Sequence, residues 1–455
     1  MFKIKWVLIA MGIFALLAIA RPLGLSQNQA MVLGSMVAAV ILWATGGLHK
    51  SVICGLLILS FSIFSETSAM EILRFSYSDT MLLIIFTTLL SVGIMNSGAI
   101  NGFVEKVFIR TGNNVYTILA VPYILGIALV FLIPQAFARV IIMGSVYASL
   151  IQHQNEEELE AKQAVLFNLF FAISVTYMIF LNGDIVLNGA ALSFSSEAVQ
   201  SQLDYLNWLS LMGPPTIAVC ALSILIIRYL FRRELSHFHP GMITVSKSTD
   251  TSKSKKWLVL ALMAIVVLLW LFEDAHGIKQ WVVALVATLV MFGLRVLGKT
   301  DLKSINLHFL LFLTTVFSIG KVFGQAGITE VLFQNLRHIL VKPTSPFYLL
   351  LLVIVVMVLH LCIGSAVATM SVVLPILVPM VEAEGISGIV ITLLTYITVN
   401  MHFLLPFHHA TMMIGSGREY FPDHFMTRLG TVMTLGVLVF IFGIYIPWWK
   451  ILGLI

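Results

Sequence analysis

An apolar stretch begins at Phe347, is interrupted at Gly364-Ser365-Ala366-Val367-Ala368-Thr369, and resumes as far as Val381. This interruption restricts the fold more than anything else in the chain. A helix needs about 20 residues to cross a hydrocarbon core of roughly 30 Å. The segment 370–381, which stops before Glu382, is shorter than that. The spacing predicts a re-entrant hairpin: a half-helix in, a tip of small residues, a half-helix out. Non-helical backbone survives at membrane depth only when buried in protein or lining a wet cavity. Such broken helices are where transporters bind substrate and ions.

The rest of the chain fits a bilayer. Hydrophobic residues make up 59% and charged ones 10%, and mean hydropathy is +1.02. Soluble domains carry about 25% charged residues. The reading is an all-α polytopic membrane protein with room for about 11 spans. The net charge of +5 lies largely in loops, where it records topology and not affinity for nucleic acid. Cys54, Cys220 and Cys362 sit in apolar runs without ligand or disulfide spacing, and no cofactor is implied. Residues 1–20 look like a leader, with Lys3 and Lys5 ahead of an apolar run, and are read as a retained first span.

Spans read near 6–24, 28–46, 50–64, 80–97, 164–181, 206–231, 257–273, 279–297 and 308–322, with a last one ending at Trp448-Trp449. The stretch 115–151 is broken near Pro134-Gln135-Ala136, and 386–417 is broken across Leu405. Segments 99–111 and 327–341 read as interfacial helices. Segment 153–162 reads as a loop with four glutamates. Segment 232–256 is the long hydrophilic linker, with Arg232, Arg233, Lys247, Lys253, Lys255 and Lys256. Placing the N-terminus inside puts Lys50, this linker and Arg295, Lys299 and Lys303 inside as well, and the C-terminus outside.

The halves repeat. Phe86-Thr87-Thr88 is followed by Ser91 and Gly93, and Leu313-Thr314-Thr315 by Ser318 and Gly320, at a constant offset of 227. An odd number of elements per half makes the repeat inverted, with the site at the midplane between the halves. The organisation is an extra span at 1–27, a first repeat at 28–231, a cytoplasmic linker at 232–256 and a second repeat at 257–455.

With these residues in view the chain resembles the divalent anion:sodium symporter family, within the ion-transporter superfamily that includes arsenite and citrate carriers. The family pattern Ser-Asn-Thr-Ala-Thr, a short apolar run and Leu-Pro is similar to Ser365-Ala366-Val367-Ala368-Thr369 ahead of Leu374-Pro375. Leu405-Pro406 through Gly415-Ser416-Gly417, before a last span ending in tryptophans, matches as well. The similarity covers nearly the whole chain. It implies an elevator-type carrier and a homodimer, with scaffold at 28–112 and 257–342 and transport elements at 113–231 and 343–455. In the family these motifs hold sodium and the substrate carboxylate. Here Pro134-Gln135-Ala136 replaces Ser-Asn-Thr, and Phe407-His408-His409-Ala410 stands where the family has Thr-Pro-Pro-Asn. The expected function is secondary transport of a small di- or tricarboxylate, sulfate or similar oxyanion, coupled to Na+ or H+.

The candidate ligands cluster at the breaks. Gln135 and Arg139 follow the first. A charge near the bilayer centre costs about 2.5–3.5 kcal/mol, so Arg139 must face protein or water. It binds substrate, pairs with Asp184, or reaches back to the cytoplasm. Asn182, Asp184 and Asn188 occupy the first-half counterpart of the 386–417 break, as ligands or as solvated loop residues. Ser365 and Thr369 offer hydroxyls to an anion or to a partial Na+ site, or simply let helices approach. His408 and His409, with Thr411 beyond them, suit anion binding or proton coupling, because imidazole titrates near neutral pH. Adjacent residues point different ways on a helix, so one of the pair can be structural. Zinc is not expected without carboxylate or cysteine at ligand spacing. Arg418, Glu419 and Asp423 read as a surface ion network. A helix N-terminus carries about half a positive charge, and two hairpins and two broken spans can aim up to four at one anion.

Two other classes compete. A membrane enzyme or lipid-processing protein needs clustered carboxylates or a nucleophile with a base at depth, and none is found in the sequence. A channel fits repeated hairpins less well than a carrier does. Uptake of labelled anions into proteoliposomes separates these classes.

Overall fold

The computed structural model describes residues 2–45, 47–98, 101–111, 114–133, 135–243, 253–272, 276–339, 345, 347–404 and 408–455. Pro134, the middle of the linker and 405–407 lie outside them. In chain order the helices are α1 (Phe2–Ala20), α2 (Gln27–Thr45), α3 (Lys50–Phe64), α4 (Ala69–Ile72), α5 (Asp79–Ser97), α6 (Asn101–Thr111), α7 (Val115–Leu129), α8 (Ala136–Leu150), α9 (Glu156–Thr176), α10 (Ile185–Ser193) and α11 (Glu197–Gln202). There follow α12 (Tyr205–Leu230), α13 (Lys253–Leu271), α14 (Gln280–Gly293), α15 (Leu307–Gln325), α16 (Ile328–Ile339), α17 (Tyr348–Ile363), α18 (Ala366–Ala383), α19 (Gly388–Met401), α20 (Ala410–Gly417), α21 (Asp423–Phe440) and, past a π-helical turn, α22 (Ile446–Ile451). Among the described residues the extended pairing is one isolated bridge, Ile151 to Ile243. The fold is all-α, as a lipid environment demands of apolar runs that must satisfy their own backbone. Six described helical stretches are long and apolar enough to cross a membrane: 79–97, 156–176, 205–230, 299–325, 366–383 and 423–451.

Three boundaries differ from the sequence reading. The expected loop at 153–162 is mostly the start of α9. Asn155 caps it by accepting from the Glu158 N–H, and Glu156, Glu157 and Glu158 fill the first turn, where negative charge is favoured. Helix α13 begins at Lys253, so Lys253, Lys255 and Lys256 belong to a helix and not to the linker. The third difference concerns the hairpin. Helix α18 starts at Ala366, with the Ser365 side chain accepting from the Ala368 N–H, and runs through Pro375 and Pro379. Its 18 residues span about 27 Å. The short-arm spacing therefore does not hold, because Ala366, Val367, Ala368 and Thr369 join the helix. The reversal lies in the two-residue turn instead: Gly364 takes a φ of 67°, which glycine adopts freely, and α17 packs against α18.

The halves reuse the same pairings. Helix α5 packs on α8 as α15 packs on α18, and α7 on α9 as α17 on α19. Across the halves, α10 packs on α18 and α20 on α8. Gly320 makes one of these approaches possible, since a Cβ there would lie 2.9 Å from Pro375 Cγ.

The C-terminal tryptophans have a specific task. Pro214 and Pro215 lie inside α12 and lack an N–H, so the carbonyls of Ser210 and Leu211 lose their helical donors. Trp448 Nε1 donates to Ser210 O at 2.8 Å and Trp449 Nε1 to Leu211 O at 3.0 Å. The last helix thereby satisfies the backbone that the prolines exposed.

Candidate functional site

At the first break Gln135 occupies the N-cap position of α8. Its amide Nε2 donates to Thr88 Oγ1 at 2.9 Å, Thr87 Oγ1 at 3.1 Å and Ile84 O at 3.3 Å. The Thr87-Thr88 pair of the repeat motif thus holds the tip against α5. One turn into α8, Arg139 is fully buried. Its Nη2 donates to Gly183 O at 2.5 Å, while Nε and Nη1 have no partner among the described residues. Asp184, also buried, caps α10 with Oδ1, which accepts from the Val186 and Leu187 N–H groups at 3.0 Å each. Its other oxygen accepts from the Ala136 N–H at 3.1 Å, at the start of α8. One carboxylate therefore bridges two helix N-termini. Arg139 neither snorkels nor spends its fork on Asp184; it reaches the neighbouring carbonyl.

A buried polar network joins the halves. Asn188 Nδ2 donates to Phe180 O and Tyr177 O, and its Oδ1 accepts from Tyr396 OH at 2.6 Å. The Tyr177 hydroxyl donates to Asn400 Oδ1 at 2.5 Å and lies 3.2 Å from His409 Nε2. His409 Nδ1 pairs with Thr411 Oγ1 at 2.7 Å, and Thr411 with Ser174 Oγ at 2.7 Å. His409, at the N-cap of α20, is thus held from both sides.

The second tip is lined by imidazoles. Thr369 Oγ1 donates to Ser365 O at 2.8 Å and meets His360 Nδ1 at 3.2 Å. The His360 ring lies 5.6 Å from that of His408 and 6.3 Å from that of His402. All three are buried, and neither ring nitrogen of His402 has a partner. His408 Nδ1 accepts from the Leu404 N–H at 3.2 Å.

The structure therefore brings Gln135, Arg139 and Asp184 together, and separately Asn188, His409 and Thr411. Asn182 lies in the turn beside them, with a buried Oδ1 that has no partner. Thr369 touches His360, and Ser365 caps α18 one turn before it. The expected ion network at Arg418, Glu419 and Asp423 does not form: Asp423 takes its hydrogen bond from the Ser416 hydroxyl, because Asp423 opens α21 next to that side chain. Sequence reasoning missed His360, His402, Tyr177, Tyr396 and Asn400. The signal for two of them is present, since Tyr177 and His402 are the C-caps of α9 and α19, at the same 225-residue offset that relates Asp184 to His409.

Buried polar groups and helix ends lie within a body of apolar helices, the arrangement of a polytopic membrane transporter. Residues 3–455 match the family described as the sodium:sulfate symporter transmembrane region, and the chain belongs to that family. A membrane protein of Cupriavidus necator is 21% identical over 97% of this chain and 91% of its own length. The chloroplastic dicarboxylate transporter 2.2 of Arabidopsis thaliana is 23% identical over 55% of this chain and 47% of its own. The crystal structure of the Alcanivorax borkumensis YdaH transporter, described as having an unusual topology, is similar in fold, with a TM-score of 0.55 at 17% identity, covering 89% of this chain and 99% of that one.

Proposed function

We propose that this chain is a secondary active transporter of a small di- or tricarboxylate, sulfate or similar oxyanion, coupled to Na+ or H+. The observation that carries this reading is Arg139, fully buried with Nε and Nη1 unpartnered. A buried guanidinium with open donors is costly unless an anion completes it. Planar bidentate recognition of oxyanions is what that fork does well. The field around it agrees. The N-termini of α8 and α10 meet at Asp184, those of α18 and α20 start at Ser365 and His409, and each supplies about half a charge. Arg139 and Asp184 offset one another, and the imidazoles add charge only when protonated. A net of about +2 suits a divalent anion. The recurring pairings of the halves support an inverted repeat and an elevator movement of hairpins and broken spans against the remaining helices. A cytoplasmic N-terminus, an extracytoplasmic C-terminus and a homodimer in the cell membrane complete the proposal.

The test is uptake of labelled sulfate and succinate into proteoliposomes, with sodium and pH gradients imposed one at a time. Saturable, gradient-driven uptake of at least one anion is expected. No uptake under either gradient would refute the reading.

A further inference from the structure

We infer that Asp184 is a resident anion that sets the charge of the cargo, matching the site to divalent anions and against trivalent ones. The inference rests on the transport reading above and narrows its substrate class.

Asp184 makes the contacts that a bound oxyanion would make. Its two oxygens take three backbone N–H groups from the first turns of two helices, α8 and α10. The corresponding N-cap positions of the second half are Ser365 and His409, neither of them an acid. The first-half caps are therefore joined by a carboxylate from within the chain, and the second-half caps are not. Arg139 supplies the independent sign of a ligand. It is fully buried beside Asp184, yet its bond goes to the Gly183 carbonyl, and two nitrogens of its fork are left over. The carboxylate is tied up by backbone, and the guanidinium is left for cargo. The remaining groups within the network are the uncharged side chains Asn188, Tyr177, Tyr396, Asn400 and Thr411, together with the imidazole of His409, which adds no charge while it is neutral. With Asp184 ionised the site carries about +2, and without it about +3.

A plain helix cap would explain the three bonds but not a charge preference. Aspartate is a common N-cap, and Asp184→Asn retains a side-chain oxygen for Val186 and Leu187 while removing the charge. If Asp184 is only a cap, any loss in this variant weakens all anions alike. If it is a resident anion, the loss of its charge favours trivalent over divalent cargo. The ratio of the two affinities separates the cases, because a common loss cancels.

The experiment is competition against labelled succinate on the purified full chain in nanodiscs at pH 8, with unlabelled succinate, sulfate and citrate, the last a trianion at that pH. Wild-type protein should favour succinate and sulfate over citrate. Asp184→Asn should raise citrate relative to succinate by about tenfold or more, as one unit charge acts on another across several ångströms at an effective dielectric near 20. Arg139→Gln should shift the ratio the other way, and it carries the test if Asp184→Asn does not fold. A ratio within about twofold of wild type in either folded variant would overturn the inference. Wild-type protein that binds none of these anions would overturn the transport reading and the inference with it.

Discussion

Replacing Gly183 by alanine probes the joint between Arg139 and the broken helix α9–α10. A Cβ at Gly183 would stand 1.9 Å from Tyr177 O, 2.7 Å from Tyr177 C and 2.9 Å from Tyr177 Cα. All three are backbone atoms, so no side-chain rotation relieves them. A tolerable C···O contact is about 3.3 Å or more, so the turn must open by about 1.4 Å. The Arg139 bond to Gly183 O, now 2.5 Å, cannot survive such a shift. A hydrogen bond to a charged group is worth about 1.5–3 kcal/mol and overpacking costs about 1–3 kcal/mol, which gives roughly 3–6 kcal/mol in all. That is a large share of the roughly 5–15 kcal/mol by which proteins are stable. Gly189 is the control, on α10 itself. A Cβ there meets nothing closer than Thr80 Cγ2 at 4.0 Å, and alanine in a helix gains up to about 1 kcal/mol over glycine. Thermal unfolding in detergent, with and without anion, and proteoliposome uptake report both effects. Gly183→Ala should unfold earlier and lose transport, while Gly189→Ala should match or exceed wild type. Equal behaviour of the two variants would refute the reasoning.

Three further outcomes are expected. Leucine at Ser365 or at Thr369 should abolish uptake without lowering expression, since Thr369 is fully buried against His360 and its hydroxyl is that ring's partner; unchanged uptake in both would return them to a packing role. Trp449→Phe should destabilise by about 1–3 kcal/mol by leaving Leu211 O without a donor in a buried site, read as earlier thermal unfolding, whereas an unchanged unfolding curve would mean that carbonyl finds another partner. Uptake should respond to an imposed pH gradient and fall when His408 or His409 becomes alanine; uptake that needs sodium and ignores both would exclude proton coupling.

What the sequence makes legible is local or repeated. The Thr-Thr pair at 87–88 and the glycine at 320 stand out by their offset, and the structure puts them to use at the Gln135 tip and against Pro375. Gln135, Arg139 and Asn188 stand out as polar residues at breaks in apolar runs, where burial demands partners. Hydropathy hides other things. Glutamates in the first turn of α9 and lysines in the first turn of α13 read as loop, because an average over a window does not register that a helix begins in polar residues. The short second arm of the hairpin is an artefact of the same kind, since small residues interrupt hydropathy without interrupting a helix. Pairs such as Tyr177 with His409 and Asn188 with Tyr396 lie more than 200 residues apart and leave no local trace.

On the proposed repeat, such distant groups meet because corresponding breaks face one another, and the two halves need not do the same chemistry. Three capping positions correspond between the halves: the N-caps of α8 and α18 (Gln135 and Ser365), the C-caps of α9 and α19 (Tyr177 and His402) and the N-caps of α10 and α20 (Asp184 and His409). The side chains at these places diverge. The first half sets an acid between two helix ends with a guanidinium one turn away. The second sets neutral hydroxyl and imidazole groups at the same ends. On the proposed function, an anion between them meets a fixed charge pattern on one side and groups that can change protonation on the other. Swapping the acid alone should alter which charge the site prefers, and swapping the imidazoles alone should alter what drives it. Two separable effects from two equivalent positions are what a duplicated backbone with divergent caps requires.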